Sequence, residues 1–326
     1  SLVSPGYLIG LLFLGITGCG AAIDLGPSGE AIAPPAERGL QEWQMIRTES
    51  GETVSFDEWV GEVADLDVVY IGEEHYNRHH VQAAVKVLQA LLDRGRRPVL
   101  TIEMFGWDGQ EALNRYLSDP LMDREQFLDE ARWKQNWPAA DFKNYQPLVQ
   151  FAREHHLSML AMNPPLSLVR KVSKQGLTQA RHDAEMERWA MSGESIVDDP
   201  AYRALIMDQL RKCHGGMSDA VYERIYDASM FRDEGMAKTI STRLKLATAG
   251  EGPIVSYTGA GHVQHGLPVP RRVSRQTAGS VTQVTLYLAS LERDHPEYVQ
   301  EMIQETIADF IWLTPLSDHG PPQRCG

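Results

Sequence analysis

Residues 66–75 read "LDVVYIGEEH", and residues 251–262 read "EGPIVSYTGAGH". Each is an apolar run rich in β-branched residues that closes on Tyr-x-Gly-x-x-His. A continuous apolar run bounded by Gly predicts a strand covered on both faces, as in a parallel sheet. "RPVLTIEMF" (97–105) and "SVTQVTLYLAS" (280–290) predict further strands, and "YQPLVQFAREHHLSMLAMNPP" (145–165) predicts a helix, then a strand ended by its two prolines. Between them, Val81, Val85, Leu88 and Leu92 form one apolar stripe of a helix over 76–94, stopped by "DRGRRP". "EWQMIRTESGETVSFDEWVGEVAD" (42–65) predicts a short hairpin running into a helix. Strands alternating with helices call for an α/β fold, a mainly parallel sheet flanked by helices with right-handed crossovers. From 166 to 249 no strand candidate occurs, and the pattern is helical and rich in Met, Tyr and charge. The chain therefore divides into an α/β core (42–165 and 250–315) and an inserted helical lid (166–249).

The repeated Tyr-x-Gly-x-x-His has a chemical consequence. In an open parallel sheet, ligands bind beyond the carboxyl ends of the strands. A Gly there lets the chain turn sharply or approach a ligand closely. The predicted strand ends deliver Glu73, Glu74, His75, Glu103 and His262 to one rim. Imidazole plus carboxylate is the ligand set of Zn, Mn or Fe, and equally the equipment of acid–base chemistry. Glu103 stands among apolar strand residues, where a carboxylate is costly unless paired or ligating. A single Gly-x-x-His is common, and one His beside a strand is ordinarily a satisfied structural donor. Two copies behind strong strand signals argue for a shared site.

Bulk properties exclude one class of partner. With a net charge of −13 and only short Lys/Arg clusters, the chain lacks the concentrated basic face that nucleic acid requires. Cysteines stand at 19, 213 and 325 with no CxxC spacing, so a zinc ribbon is excluded. Cys213 and Cys325 are able to pair in an oxidising compartment. "YLIGLLFLGITGCG" (7–20) carries an apolar run, Tyr7 to Ile16, that rises only ~15 Å as helix, too short to span a bilayer and of the length of a signal-peptide core. Ile16-Thr17-Gly18-Cys19 resembles a bacterial lipobox, which predicts a signal peptide over 1–19 and lipidation of Cys19. The Gly/Pro/Ala-rich segment 20–41 follows as a flexible tether. The expectation is a lipid-anchored periplasmic protein, and Gly20 after the cysteine favours the outer membrane of a Gram-negative bacterium.

"YIGEEHYNRHHVQAAVKVLQAL" (70–91), "LTIEMF" (100–105), "FAREHHLSMLAMNPPLSLVRKVSKQGL" (151–177), "FRDEGMAKTI" (231–240) and "YTGAGHVQHGLPVPRRV" (257–273) together resemble the ChaN-like haem-binding lipoproteins. These share a superfamily with the Tiki proteases and the TraB-type proteins. The resemblance runs from about residue 42 to 290. It implies a haem-holding lipoprotein of iron acquisition, with haems face to face at a homodimer interface that haem itself would drive, and a partner among outer-membrane haem receptors. It also implies ferric iron on a tyrosinate with a histidine nearby, an arrangement that holds haem without preparing it for oxygen chemistry. In the lid, Tyr202, Tyr222 and Tyr226 are the candidate phenolates and His214 the accompanying imidazole, with a Cys213 thiolate as the lesser alternative. The Tiki likeness implies a second reading: a divalent-metal hydrolase with His75, Glu74, Glu103 and His262 on the metal and Glu73 as base to bound water. The residues themselves leave both readings open.

Overall fold

The structure is a computed structural model, and it describes residues 39–138, 141–248 and 250–324. Cys19, Cys325 and the expected signal peptide lie outside the described residues, as does all of the expected tether except Gly39, Leu40 and Gln41. The apolar runs form strands close to their predicted positions. These are β3 (Val68–Glu73), β4 (Arg97–Gly106), β5 (Met159–Asn163), β6 (Glu251–Gly259) and β7 (Gln283–Ser290). The predicted hairpin is β1 (Met45–Arg47) and β2 (Thr53–Val54), and β8 (Phe310–Thr314) completes the sheet. The order is β2-β1-β8-β7-β3-β6-β4-β5, parallel from β8 to β5, with β1 antiparallel to β8 and β2 to β1.

Numbering the helices of eight residues or more, these are α1 (Phe56–Val63), α2 (Arg78–Asp93), α3 (Gln110–Ser118), α4 (Gln146–Glu154), α5 (Leu166–Gln175), α6 (Pro200–Cys213), α7 (Asp219–Lys245), α8 (Val269–Gln276) and α9 (Glu297–Gln304). Strand residues alternate between two covered faces, which is why the runs are mostly apolar. Val69, Ile71, Leu100, Ile102 and Val255 face the cluster formed with α1, α2 and α4. Val68, Tyr70, Val99 and Ile254 face Met236, Ala237 and Ile240 of α7 and Val269 and Val273 of α8.

The helical segment after Leu166 thus does two things. The second half of α7 is a layer of the sheet itself. The first half pairs with α6 around a small core of its own, including Tyr202, Ile206, Leu210, Tyr222 and Tyr226. Asp199 starts α6 by accepting the Ala201 and Tyr202 N–H groups, with Pro200 in the first turn, where its missing N–H costs nothing. Gly235 sets how closely α7 can lie: a Cβ there would collide with the Pro164 ring and come within 3.2 Å of Trp107. Among the described residues no helix is long and apolar enough to cross a membrane.

Candidate functional site

After β3 the chain moves outward to β4 and β5, then returns to insert β6 between β3 and β4, and continues with β7 on the other flank of β3. The direction of winding reverses at β3–β6–β4, and this is where an open α/β sheet forms a crevice at its carboxyl edge. The predicted rim residues hang from these three strands. Glu73 pairs in register with Gly259, and Ile102 with Tyr257, so Glu73, Glu103 and the turn to His262 come to one level.

Gly259 makes the convergence possible. Its N–H donates to Glu103 Oε2 at 2.6 Å, and the His75 ring packs directly over its Cα. A Cβ at this position would lie 2.8 Å from the His75 ring and 3.3 Å from Glu103 Oε2, with a fully buried carboxylate behind it. Gly259→Ala is therefore expected to cost about 1–3 kcal/mol of stability through overpacking, read by urea denaturation. An unchanged midpoint would mean that His75 is free to swing away.

Two carboxylate–imidazole pairs flank Glu103. In the first, Glu73 accepts from Tyr145 Oη at 3.0 Å and Tyr257 Oη at 2.7 Å, and lies 2.6 Å from His75 Nδ1. Burial pushes the Glu73 carboxyl up despite these partners. Burial opposes charge on His75, but Glu73 and Glu103 outweigh it, so its pKa is raised. In the second pair, His262 Nδ1 is 2.5 Å from Asp233 Oδ1, while Tyr202 donates to Asp233 Oδ2 at 2.6 Å. Burial works against the His262 charge, yet Glu103 and Asp233 carry its pKa up to about 9. Glu103 sits between the pairs, 3.4 Å from His262 Nε2 and ion-paired with the Arg232 guanidinium. Although burial disfavours its ionised form, His262 and Arg232 hold its pKa well below the usual range. Asn163 braces the arrangement by accepting from Arg232 Nε at 3.0 Å and donating to the Glu103 carbonyl at 2.7 Å.

Glu74 is placed elsewhere. Its carboxylate accepts the Ser290 N–H at 3.0 Å and the Ser290 hydroxyl, at the end of β7. The Glu74 N–H donates to His80 Nδ1 at 2.9 Å, and His80 Nε2 meets Thr314 at the end of β8. Burial pushes the His80 pKa down to about 3, so this imidazole is neutral. The Glu74–Ser290–His80 network ties strand ends together. Among the described residues no group of three or more His, Cys, Asp or Glu side chains is arranged to hold a metal ion. The Arg232 guanidinium instead supplies the cation beside Glu103.

Arg232, Asp233, Asn163 and Tyr145, which the sequence pattern does not single out, complete the site together with Tyr257, the aromatic of the second Tyr-x-Gly-x-x-His. The available signal is "FRDEG", three consecutive charges within an otherwise apolar helical run.

The candidates between residues 166 and 249 do not form one group. Tyr202 and Tyr226 are buried and committed to carboxylates, Tyr202 to Asp233 and Tyr226 to Asp198 Oδ1 at 2.6 Å. Burial and those carboxylates hold both phenols protonated, with pKa values raised. Tyr222 donates instead to the backbone carbonyl of His214 at 2.7 Å, so these two candidates touch. His214 follows the C-terminus of α6, half-buried, and burial lowers its pKa, leaving a neutral imidazole. Cys213 is disulfide-bonded. The thiolate-ligand alternative falls with that, because a disulfide sulfur carries no thiolate charge.

The fold has a counterpart among solved structures, and the sequence has relatives. The solved structure described as "Cofacial heme binding to ChaN of Campylobacter jejuni" superposes with a TM-score of 0.64 at 14% identity, covering 84% of this chain and 98% of that one, a likeness of fold. Protein RETICULATA-RELATED 5, chloroplastic, of Arabidopsis thaliana is 24% identical over 261 residues, which make up 76% of this chain and 34% of that protein. The chain spans about a third of the length of this curated relative. The family model described as "Haem-binding uptake, Tiki superfamily, ChaN" matches residues 59–273, a span that takes in both the sheet-edge cluster and helices α6 and α7. The chain belongs to this haem-binding uptake family, the ChaN branch of the Tiki superfamily.

Proposed function

We propose that the chain binds haem where the end of α6 meets the start of α7, at the half-buried His214 and the buried Tyr222, as a periplasmic protein of haem-iron acquisition. The observation that carries this reading is the match of the haem-binding family model across residues 59–273. The donor chemistry fits. Haem iron takes a neutral imidazole or a tyrosinate, and His214 offers the first. Tyr222 is the one candidate phenol whose hydroxyl is not held by a carboxylate. Met207, Met217 and Val221, partly buried in the same cluster, offer an apolar surface for a macrocycle.

The sheet-edge crevice is unsuited to haem. The cleft beside Glu103 and Arg232 offers ≈ 0 Å³ of water-accessible volume, against the roughly 300–1,000 Å³ of pockets that enclose a ligand. A haem lying on the lid leaves its second face open, and a second copy of the chain would cover it. Cofacial haem binding, described for ChaN of Campylobacter jejuni, is the arrangement such a pair would produce. When bound, the haem supplies iron as cargo. Lipidation of Cys19, an outer-membrane anchor and delivery by a haem receptor extend the same proposal. A divalent-metal hydrolase is less well supported, because Arg232 already pairs with Glu103 and Glu74 faces Ser290.

Titrating hemin into the purified chain is expected to give a saturable Soret band, with light scattering reporting dimer formation as haem is added. His214→Ala and Tyr222→Phe should each weaken binding about tenfold or more, roughly the 1.4 kcal/mol of one lost ligand-directed contact. Tyr226→Phe should leave affinity unchanged. Unsaturable binding by the wild-type chain would overturn the proposal.

A further inference from the structure

A groove of ≈ 390 Å³ lies at the amino ends of β7 and β8, with none of the carboxyl-edge residues in its walls. Pockets that take a small ligand run from roughly 300 to 1,000 Å³. One wall is a face of α8, carrying Pro270, Arg271 and Ser274, and the others include His265, Thr306 and Asp309.

Two turns of these walls are strained. His265 and Thr306 both take left-handed backbone angles, with φ 55° and 49°. Thr306 stands where α9 closes: its N–H bonds the Ile303 carbonyl at 3.0 Å, and the Ile307 N–H bonds the Met302 carbonyl at 3.0 Å. Glycine is the usual residue at this position, because a β-branched side chain resists the conformation. The His265 N–H donates to the Ile307 carbonyl at 2.6 Å and so ties the two turns together. Strain of this kind persists where the surroundings over-determine it, and it gathers at ligand sites.

We propose that this groove is a sugar-binding site, in which Asp309, Arg271, Ser274 and Thr306 hold the hydroxyls of a monosaccharide or of one unit of a short oligosaccharide. It shares no wall residue with the haem reading and does not depend on it.

The polar groups suit hydroxyls. Asp309 Oδ2 accepts the Thr285 N–H at 2.8 Å and the Thr285 hydroxyl at 2.9 Å, while Oδ1 has no partner among the described residues. The hydroxyls of Ser274 and Thr306 are likewise unengaged among the described residues. Arg271 gives one N–H to Asp199 Oδ2 at 2.6 Å, and its fork holds further donors. A hydroxyl donates and accepts at once, so a sugar is able to use donors and acceptors side by side. Charge favours a neutral ligand. An anion beside Arg271 would meet Asp309 and Asp199, and a cation beside Asp309 would meet Arg271. Burial lowers the His265 pKa, so its imidazole adds no charge. Pro270, Val284 and Ala308 offer an apolar surface for the C–H face of the ring.

The test is isothermal titration of the full chain with D-glucose, D-galactose, D-mannose and N-acetyl-D-glucosamine. Sodium phosphate and free glycine serve as charged contrasts. Saturable binding of at least one sugar is expected, with none of either contrast. Asp309→Asn should weaken it about tenfold, as loss of a bond to a charged acceptor does. Thr306→Gly makes the sharper prediction. It removes a hydroxyl and relieves the left-handed strain, so affinity should fall about threefold or more while Tm rises. A residue with only a structural part would raise Tm and leave affinity unchanged. The proposal is overturned if none of the four sugars saturates, if either variant binds as tightly as wild type, or if phosphate or glycine binds in their place. Hemin titration of Asp309→Asn should give the wild-type Soret response, so failure of this site and failure of the haem reading are told apart.

Discussion

Replacing Arg232 with methionine is expected to lower the stability of the fold by about 3–5 kcal/mol, the usual cost of stranding one member of a buried ion pair. Glu103 has a side chain that is fully buried, on a strand surrounded by apolar neighbours. The Gly259 N–H and His262 remain after the substitution, but neither replaces the guanidinium that also bonds Asn163. The measurement is urea denaturation with the slope held constant between variants. A companion variant makes the result specific. Arg232→Met combined with Glu103→Leu removes both charges, and exchanging a whole buried pair for apolar groups is often close to neutral. Recovery of most of the lost stability in the double variant would locate the cost in the uncompensated carboxylate. A double variant as unstable as the single one would instead mean that Arg232 acts through packing of α7.

The second large effect is a loss of stability on raising pH. His262 has an ordinary pKa near 6.5 when the chain is unfolded and about 9 in the fold. The raised value means that its contribution is complete below pH ~6.5 and disappears as pH rises towards 9. The span corresponds to about 3 kcal/mol from this group. Glu103 on β4 and Asp233 on α7 favour its charge, while burial and Arg232 on α7 oppose it. His75 shifts in the same direction, because Glu73 and Glu103 overcome its burial, so its loss adds in the same window. His80, neutral within the Glu74 network, contributes nothing to this alkaline loss. Following the His262 ring protons by NMR should give a midpoint well above 8, and Asp233→Asn should move it down. Titration near 6.5 in the wild-type chain would contradict the paired geometry.

Legibility in the sequence differs by element. Strands covered on both faces announce themselves, because most of their residues must be apolar, and β6 begins and ends where its run does. β8 escapes such a reading: "FIWLT" is only five residues and follows an amphipathic helix without Gly or Pro between them. The repeated Tyr-x-Gly-x-x-His does mark two strand ends that meet, since the motif encodes a local turn beside a strand. Arg232 and Asp233 are not legible, because adjacent charges on a helix ordinarily mean a solvated face. Only the tertiary position of α7, lying over β5, turns them inward. Glu73 and Glu74 illustrate a distinction that strand geometry contains: successive residues point to opposite sides, so one carboxylate at a strand end faces the crevice and its neighbour does not. Tyr222 and Tyr226 are one helical turn apart and share a face, but that spacing does not tell which hydroxyl meets a carboxylate and which a carbonyl.

Haem is proposed to lie at His214 and Tyr222, away from the sheet edge. A crystal structure of the chain soaked with hemin tests it most directly through the anomalous signal of iron. Iron beside His214 and Tyr222, with the macrocycle against α6 and the start of α7 and facing a second copy, is the expected result. Iron lodged between His75 and His262, with Arg232 displaced from Glu103, would contradict that proposal.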